Sequence, residues 1–281
     1  MAIKIVTDST ADIPQKIASE YGIEVVPLNV HFGEEVFKDG VDIWSEEFYN
    51  KLRNESILPN TSQPSPGDFL KAYQKIASPG DTIISIHISR EMSGTADSAQ
   101  LAAEMMGADY KIHIIDSRQV TLSLGIVVIE AAKAVKNGAS VETILNKLTK
   151  WEKEVSIFFT LKSLEHLYRT GRIGKASIFM GSLLNIKPVL TIEEGLIVPV
   201  EKVRGNFQKV AEIMLDKVVK SYGDHPLIIG VIHTDLQDES DILEMLAKKS
   251  LNIKEMIINL AGPVIGSHAG PNAIGIVVLP A

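Results

Sequence analysis

The segment His87-Ile88-Ser89-Arg90-Glu91-Met92-Ser93-Gly94-Thr95 sets hydroxyls and a glycine between an apolar, β-branched run at 82–86 and good helix formers at 96–104. That order predicts a strand-to-helix loop. A helix start offers unpaired N–H groups and the positive end of the helix dipole, which together favour a carboxylate or a phosphate. Two more stretches have a similar character. Asn60-Thr61-Ser62-Gln63-Pro64-Ser65-Pro66 precedes a second predicted helix. The run from Gly262 to Gly275 carries His268 among small residues, which let a ligand approach closely. Thr61, Ser62, Ser93, Gly94, Thr95 and His268 are therefore candidate anion-binding groups, although capping and turn formation are the commoner uses of such residues singly.

Other chemistries fit poorly. Gly171-Arg172-Ile173-Gly174-Lys175-Ala176 lacks the first glycine of a Walker A loop, where Arg169 stands, and the hydroxyl after its lysine, where Ala176 stands. No G-x-G-x-x-G follows the first strand, so a dinucleotide site is not expected. The seven histidines show no metal-ligand spacing, and no metal and no cofactor are expected. Glu91 occupies the first glycine position of a G-x-S-x-G elbow, which leaves Ser93 a weak candidate nucleophile. Cysteine is absent, and with it thiolate chemistry and disulfides.

The elements that must position these groups read as α/β. Ile3–Val6, a polar loop with Asp12 as N-cap, a helix to about Tyr21 and a run at 23–30 give β-α-β. This favours a parallel sheet with ligand loops at the carboxyl ends of its strands. Ser65, with Pro66 and Asp68, predicts a capped helix. A strand at 110–117 and helices near 121–136 and 140–152 follow. At Val155 the pattern changes to a strand after two consecutive helices, a hairpin around Glu193-Glu194-Gly195 and further mixed elements. The expectation is two domains, 1–154 with a largely parallel, Rossmann-like sheet and 155–281 with a mixed sheet. The 281 residues are 45% hydrophobic, enough for a sizeable core, and the net charge of -7 argues against nucleic acid. The N-terminus enters a strand directly and no apolar run would span a bilayer, so the expected location is the cytoplasm.

Taken in order, Thr7-Asp8-Ser9-Thr10-Ala11-Asp12, Thr61-Ser62-Gln63-Pro64-Ser65-Pro66, Ile88 to Thr95, Ile114-Ile115-Asp116-Ser117, Leu167 to Ile173 and Gly266-Ser267-His268-Ala269-Gly270-Pro271 resemble the DegV family of bacterial fatty-acid-binding proteins. The resemblance runs the length of the chain. It implies a long-chain fatty acid lying between the two domains, its carboxylate held by Thr61, Ser62 and Ser93 with Gly94, Thr95 and His268 beside them. The acyl chain would enter a tunnel in the second domain, for which Ile178, Phe179, Met180, Leu183, Leu184 and Ile186 are candidates. It further implies a non-catalytic subunit that presents the acid to a separate fatty acid kinase catalytic subunit, which makes an acyl phosphate for phospholipid synthesis. Arg204 matches a basic position assigned to kinase contact, and the role leaves room for a transient membrane contact. The residues alone keep two alternatives open: a phosphotransferase carrying phosphate on His268 or Ser93, and a small-anion binding or regulatory module.

Overall fold

The computed structural model describes residues 2–55, 57–180 and 186–281. The chain begins with β1 (Ile3–Asp8), a 3₁₀ turn at Ser9–Ala11, α1 (Gln15–Tyr21) and β2 (Glu24–Val26). Next come β3 (Asn29–Phe32), β4 (Glu35–Lys38), α2 (Ser45–Asn54), β5 (Asn60–Ser62), α3 (Pro66–Ile76) and β6 (Thr82–His87). These are followed by α4 (Thr95–Met106), β7 (Lys111–Asp116), α5 (Leu122–Lys136) and α6 (Val141–Glu154). The second half contains β8 (Ser156–Leu161), α7 (Glu165–Arg169), β9 (Lys187–Glu193), β10 (Leu196–Val203) and α8 (Phe207–Tyr222). It ends with β11 (Leu227–His233), α9 (Gln237–Ser250), β12 (Ile253–Leu260), α10 (Pro263–Ala269) and β13 (Ala273–Pro280).

The first half builds a parallel sheet in the order β2-β1-β6-β7, and the second a mixed sheet in the order β10-β9-β8-β13-β11-β12. All six residues of β6 are buried, including Thr82, Ser85 and His87, as in a strand covered on both faces. β13 runs antiparallel to both β8 and β11 in the middle of the second sheet. The expected run at 23–30 is in fact two strands. Pro27 follows β2, and the chain then passes into a small antiparallel sheet, β4-β3-β5, whose strands are too short to show in the pattern.

The centre of the molecule is α5. Leu122, Leu124, Ile126, Val127, Val128 and Ile129 are buried around its whole circumference, which marks a helix enclosed by protein on all sides. One cluster joins it to Ile5, Ile84 and Ile86 of the parallel sheet and to Ile157, Ile228, Ile232 and Val277 of the mixed sheet. The two sheets therefore share a core. Close approach on both sides depends on glycine: a Cβ on Gly125 would lie 2.3 Å from the Ala11 carbonyl oxygen, and one on Gly230 would lie 2.8 Å from a Leu122 methyl.

The capping box at Ser65 and Asp68 is present. Asp12, expected as an N-cap, instead has a left-handed backbone after the 3₁₀ turn, and α1 starts after Pro14. The glycine-rich run after β12, expected as a loop, contains α10. There Gly266 lets the helix rest on Phe48 and Tyr49, so this small residue admits neighbouring protein instead of a ligand.

Candidate ligand cavity

A cavity of about 480 Å³ lies between the loop after β6, β5, the start of α5, α10 and the strands of the mixed sheet. Its wall is graded. At one end Thr61, Ser62 and Ser93 are partly exposed, and Gln63 and Arg172 reach the surface. The remainder is mainly buried and apolar, with Ile88, Ile157, Leu161, Leu167, Ile192 and Ile197 among its residues.

Thr61, Ser62, Ser93 and His268, from three separated stretches, meet at this cavity. The Thr61 hydroxyl bonds His268 Nε2 at 2.7 Å, and the Ser62 hydroxyl bonds His31 Nε2 at 2.9 Å. Ser93 Oγ lies 2.8 Å from Thr95 Oγ1. Thr95 itself is fully buried and, like Gly94, stands behind the lining. Gly94 makes room for the Gln63 side chain, whose Oε1 would be 2.4 Å from a Cβ there. Burial, reinforced by the nearby charges of Arg172 and His166, pushes the His268 imidazole down to about 4, and its buried Nδ1 has no partner among the described residues.

The loop that carries Ser93 is fixed from both halves of the molecule. Buried Ser89 donates its hydroxyl to the Gly195 carbonyl at 2.9 Å, in the β9–β10 turn, and accepts the Glu91 amide at 3.2 Å. That two-residue turn has positive φ at both Glu194 and Gly195, as the predicted hairpin requires. The Arg172 guanidinium donates to the carbonyls of Met92 at 3.2 Å and Thr170 at 2.5 Å. Arg172 carries no site role in the sequence, where it stands only within the Leu167 to Ile173 stretch. Beneath the loop, Ser85, His87 and Asp8 form a chain of bonds of 2.6 and 3.0 Å in the order of a hydrolase triad. All three are fully buried, so no substrate reaches them. Asp8 also accepts the Ile88 amide at 3.1 Å and thereby ties down the root of the loop.

The acyl-tunnel candidates that are described stand apart from the lining of this cavity. Ile178 is 73% exposed and Met180 41% exposed. Phe179 packs on the Leu161–Ala176 cluster with the Lys202 ammonium 4.7 Å from its ring centroid. Ile186 is half-buried, and none of these four lines the cavity. Leu183 and Leu184 fall outside the described residues. Ile178 and Phe179 end a 3₁₀ turn, Gly174–Phe179, whose three-residue repeat points Ala176 and Phe179 inward and turns Ile178 out. Among the described residues, much of the apolar wall comes from β8, β9, β10, β11 and β13. Arg204, past the end of β10, is exposed and away from the cavity lining.

Behind α10 lies a second polar cluster. Asp12 accepts the Gly262 amide at 2.8 Å and the Thr121 hydroxyl at 2.5 Å. Burial raises its carboxyl to about 7 against those bonds. Asp39 is raised to about 8, by burial first and then by the neighbouring Asp12, and its Oδ2 has no partner among the described residues. A Cβ on Gly262 would be 2.9 Å from Asp12 Oδ1 and 3.3 Å from Asp39 Oδ1, which shows how near the two carboxyls come. Among the described residues no group of three or more His, Cys, Asp or Glu side chains could hold a metal ion, and no helix is long and apolar enough to cross a membrane.

Comparison with known proteins matches residues 2–281 to the model of the DegV family of uncharacterised proteins. A DegV domain-containing protein of Caldanaerobacter subterraneus is 38% identical over 98% of this chain and 97% of its own length. Among solved structures, a DegV family protein of Thermus thermophilus, described by its fatty acid binding, superposes with a TM-score of 0.93 at 34% identity and covers 100% of both chains. DegV of Bacillus subtilis, described as a fatty acid binding protein, gives 0.88 at 35% identity, again over 100% of both.

Proposed function

The chain belongs to the DegV family, and we propose that it binds a long-chain fatty acid in this cavity and presents the carboxylate to a separate ATP-dependent kinase subunit. The observation that carries the reading is the graded wall: hydroxyls and an imidazole at the partly exposed end, apolar side chains behind them. Burying about a dozen methylenes at ~0.8 kcal/mol each yields a gross gain on the order of 10 kcal/mol, from which the cost of immobilising a flexible chain is subtracted. A desolvated carboxylate costs several kcal/mol unless it is hydrogen-bonded. We assign that duty to Thr61, Ser62, Ser93 and His268. His268 is neutral over the physiological range, so one ring nitrogen accepts and the other donates. When the Thr61 hydroxyl donates to Nε2, the proton sits on the unpartnered Nδ1 and is available to the ligand.

Neutral donors suit presentation. A bidentate guanidinium would hold both carboxylate oxygens strongly, whereas hydroxyls leave one of them nucleophilic toward a γ-phosphate. In this role the acid is the nucleophile, and the chain carries no phosphoryl group of its own. The burial of His268 and its bond to Thr61 disfavour it as a phosphoryl carrier. The expected downstream product is an acyl phosphate for phospholipid synthesis, and Arg204 is the proposed contact for the kinase subunit.

Organic extraction and mass spectrometry of the purified protein are expected to yield a long-chain fatty acid. Ser93→Ala is expected to lower affinity by about fivefold, the worth of one hydrogen bond. Ser93→Arg is expected to bind the acid yet block its phosphorylation by a fatty acid kinase catalytic subunit. Absence of any bound or bindable fatty acid would refute the reading, and undiminished phosphorylation of Ser93→Arg would refute the presenting mechanism.

A further inference from the structure

A second crevice, of about 720 Å³, lies between α1, β2, the stretch at 39–46 and the end of β12, and shares no lining residue with the fatty-acid cavity. Trp44 and Val41 form an apolar rim, 49% and 59% exposed, while Asp12 and Asp39 at its base are 6% and 5% exposed. Glu24 and Glu46 bring the carboxyls in the wall to four. Glu24 is bonded to Lys75 at 2.7 Å. Among the described residues no lysine, arginine or histidine lines the crevice.

Both buried carboxyls border the space over Gly262, which is itself half-buried and part of the wall. The three atoms nearest to a Cβ on that glycine would all be carboxyl oxygens, Asp12 Oδ1 at 2.9 Å and the two Asp39 oxygens at 3.3 and 3.5 Å. Asp12 is provided for by the Gly262 amide and the Thr121 hydroxyl. Asp39 feels the Ser9 hydroxyl and the Val264 amide, yet its Oδ2 has no partner among the described residues. The charges that act on the pair are all negative: Asp8 acts on both, each acts on the other across the gap or on the Tyr49 phenol, and Asp235 acts on that phenol as well. Crowded carboxyls out of water hold their protons until an opposite charge arrives, and the described protein supplies none here.

We infer that this crevice is a second ligand site, for a small aliphatic amine whose ammonium lies over Gly262 against Asp39 and Asp12 and whose hydrocarbon packs toward Trp44 and Val41. A primary ammonium is compact and carries three donors, which matches three oxygens around one open space. Charge-assisted bonds of this kind are about twice as strong as neutral ones. The amine enters as its cation, Asp39 gives up its proton to solvent, and the new carboxylate faces the ammonium. The site stands apart from the fatty-acid reading and does not depend on it.

The test is titration calorimetry of the full chain with butylamine, and with butan-1-ol as its neutral counterpart, at pH 7 in two buffers of different ionisation enthalpy. The amine is expected to bind at least about tenfold more tightly than the alcohol. The difference between buffers is expected to report release of about one proton per amine, as an opposite charge drives a protonated carboxyl to ionise. Asp39→Asn, which removes the charge, and Gly262→Ala, which fills the space, are each expected to weaken the amine at least about tenfold. Should either variant fail to fold, proton release by the unaltered chain still decides. No saturable binding of the amine, binding without proton release, or binding undiminished in both variants would each overturn the inference. Tighter binding of Nα-acetyl-lysine methylamide than of butylamine would assign the site to a protein side chain and overturn the small-amine reading.

Discussion

Asp39 and Asp12 show how far a single residue's chemistry can depart from its sequence context. A polar loop after a strand predicts ordinary exposed carboxylates, and Asp12 reads as a helix cap. Burial beneath α10 instead holds Asp39 near 8 and Asp12 near 7. The cause is invisible locally, because one bonding partner of Asp12, Gly262, is 250 residues away. The site hydroxyls were legible for the opposite reason: Thr61, Ser62 and Ser93 sit in short motifs whose helix-start character is local. Arg172 was not, since only the folded chain brings its guanidinium to the Met92 carbonyl at the cavity. The carboxyl pair has a consequence for stability. Between about pH 4 and 8 the folded Asp39 keeps a proton that the unfolded chain, with its carboxyl near 3.8, gives up. The folded state binds more protons there, so stability falls as pH rises through that window and levels off above it. Asp39→Asn removes this contribution, while Asp12 stays raised by its own burial. Thermal unfolding midpoints of the variant are therefore expected to decline less between pH 5 and 8 than those of the unaltered protein, and equal slopes would contradict the assignment.

At the scale of elements, α5 was predicted almost to the residue, as were β6 and the β9–β10 hairpin, because each has an unambiguous apolar period or turn. The places that failed are those where tertiary contact overrides local pattern. Pro27 divides an apolar run between two sheets, and a glycine-rich stretch becomes α10 because Phe48 and Tyr49 provide a surface for it. Nothing in the period of α5 reveals that it lies against the 3₁₀ turn closely enough to exclude a side chain at Gly125. Alanine there would gain about 1 kcal/mol in helix propensity, but its Cβ would lie 2.3 Å from a backbone oxygen. Forcing such an overlap costs about 1–3 kcal/mol. Gly125→Ala is therefore expected to destabilise the protein by up to about 2 kcal/mol in chemical denaturation. An increase in stability would show that the turn moves aside freely.

For the whole molecule, composition and element order gave the α/β class and the change from a parallel to a mixed sheet near residue 155, while the sharing of one core by both sheets emerged only from the structure. We propose 154/155 as the domain boundary in the sense of chain topology, without independent stability on either side. Residues 1–154 alone would expose the face of α5 that covers Ile228, Ile232 and Val277, and are expected to aggregate or to bind a hydrophobic dye when expressed as a fragment. A monomeric fragment with a cooperative unfolding transition would contradict this.

The middle position of β13 also bears on how the protein is made. The partners it bridges, β8 and β11, end at residues 161 and 233, yet the strand between them begins at 273. During synthesis both partners leave the ribosome with an unpaired edge facing the gap, and such edges are templates for pairing with other chains. The gap closes only when residues through 280 have emerged. Ala273, Ile274 and Gly275 of that same strand also line the cavity. A nascent chain thus has no closed cavity until β13 slides into the middle of the sheet, and a ribosome stalled before that point would hold an open-sided intermediate in need of a chaperone.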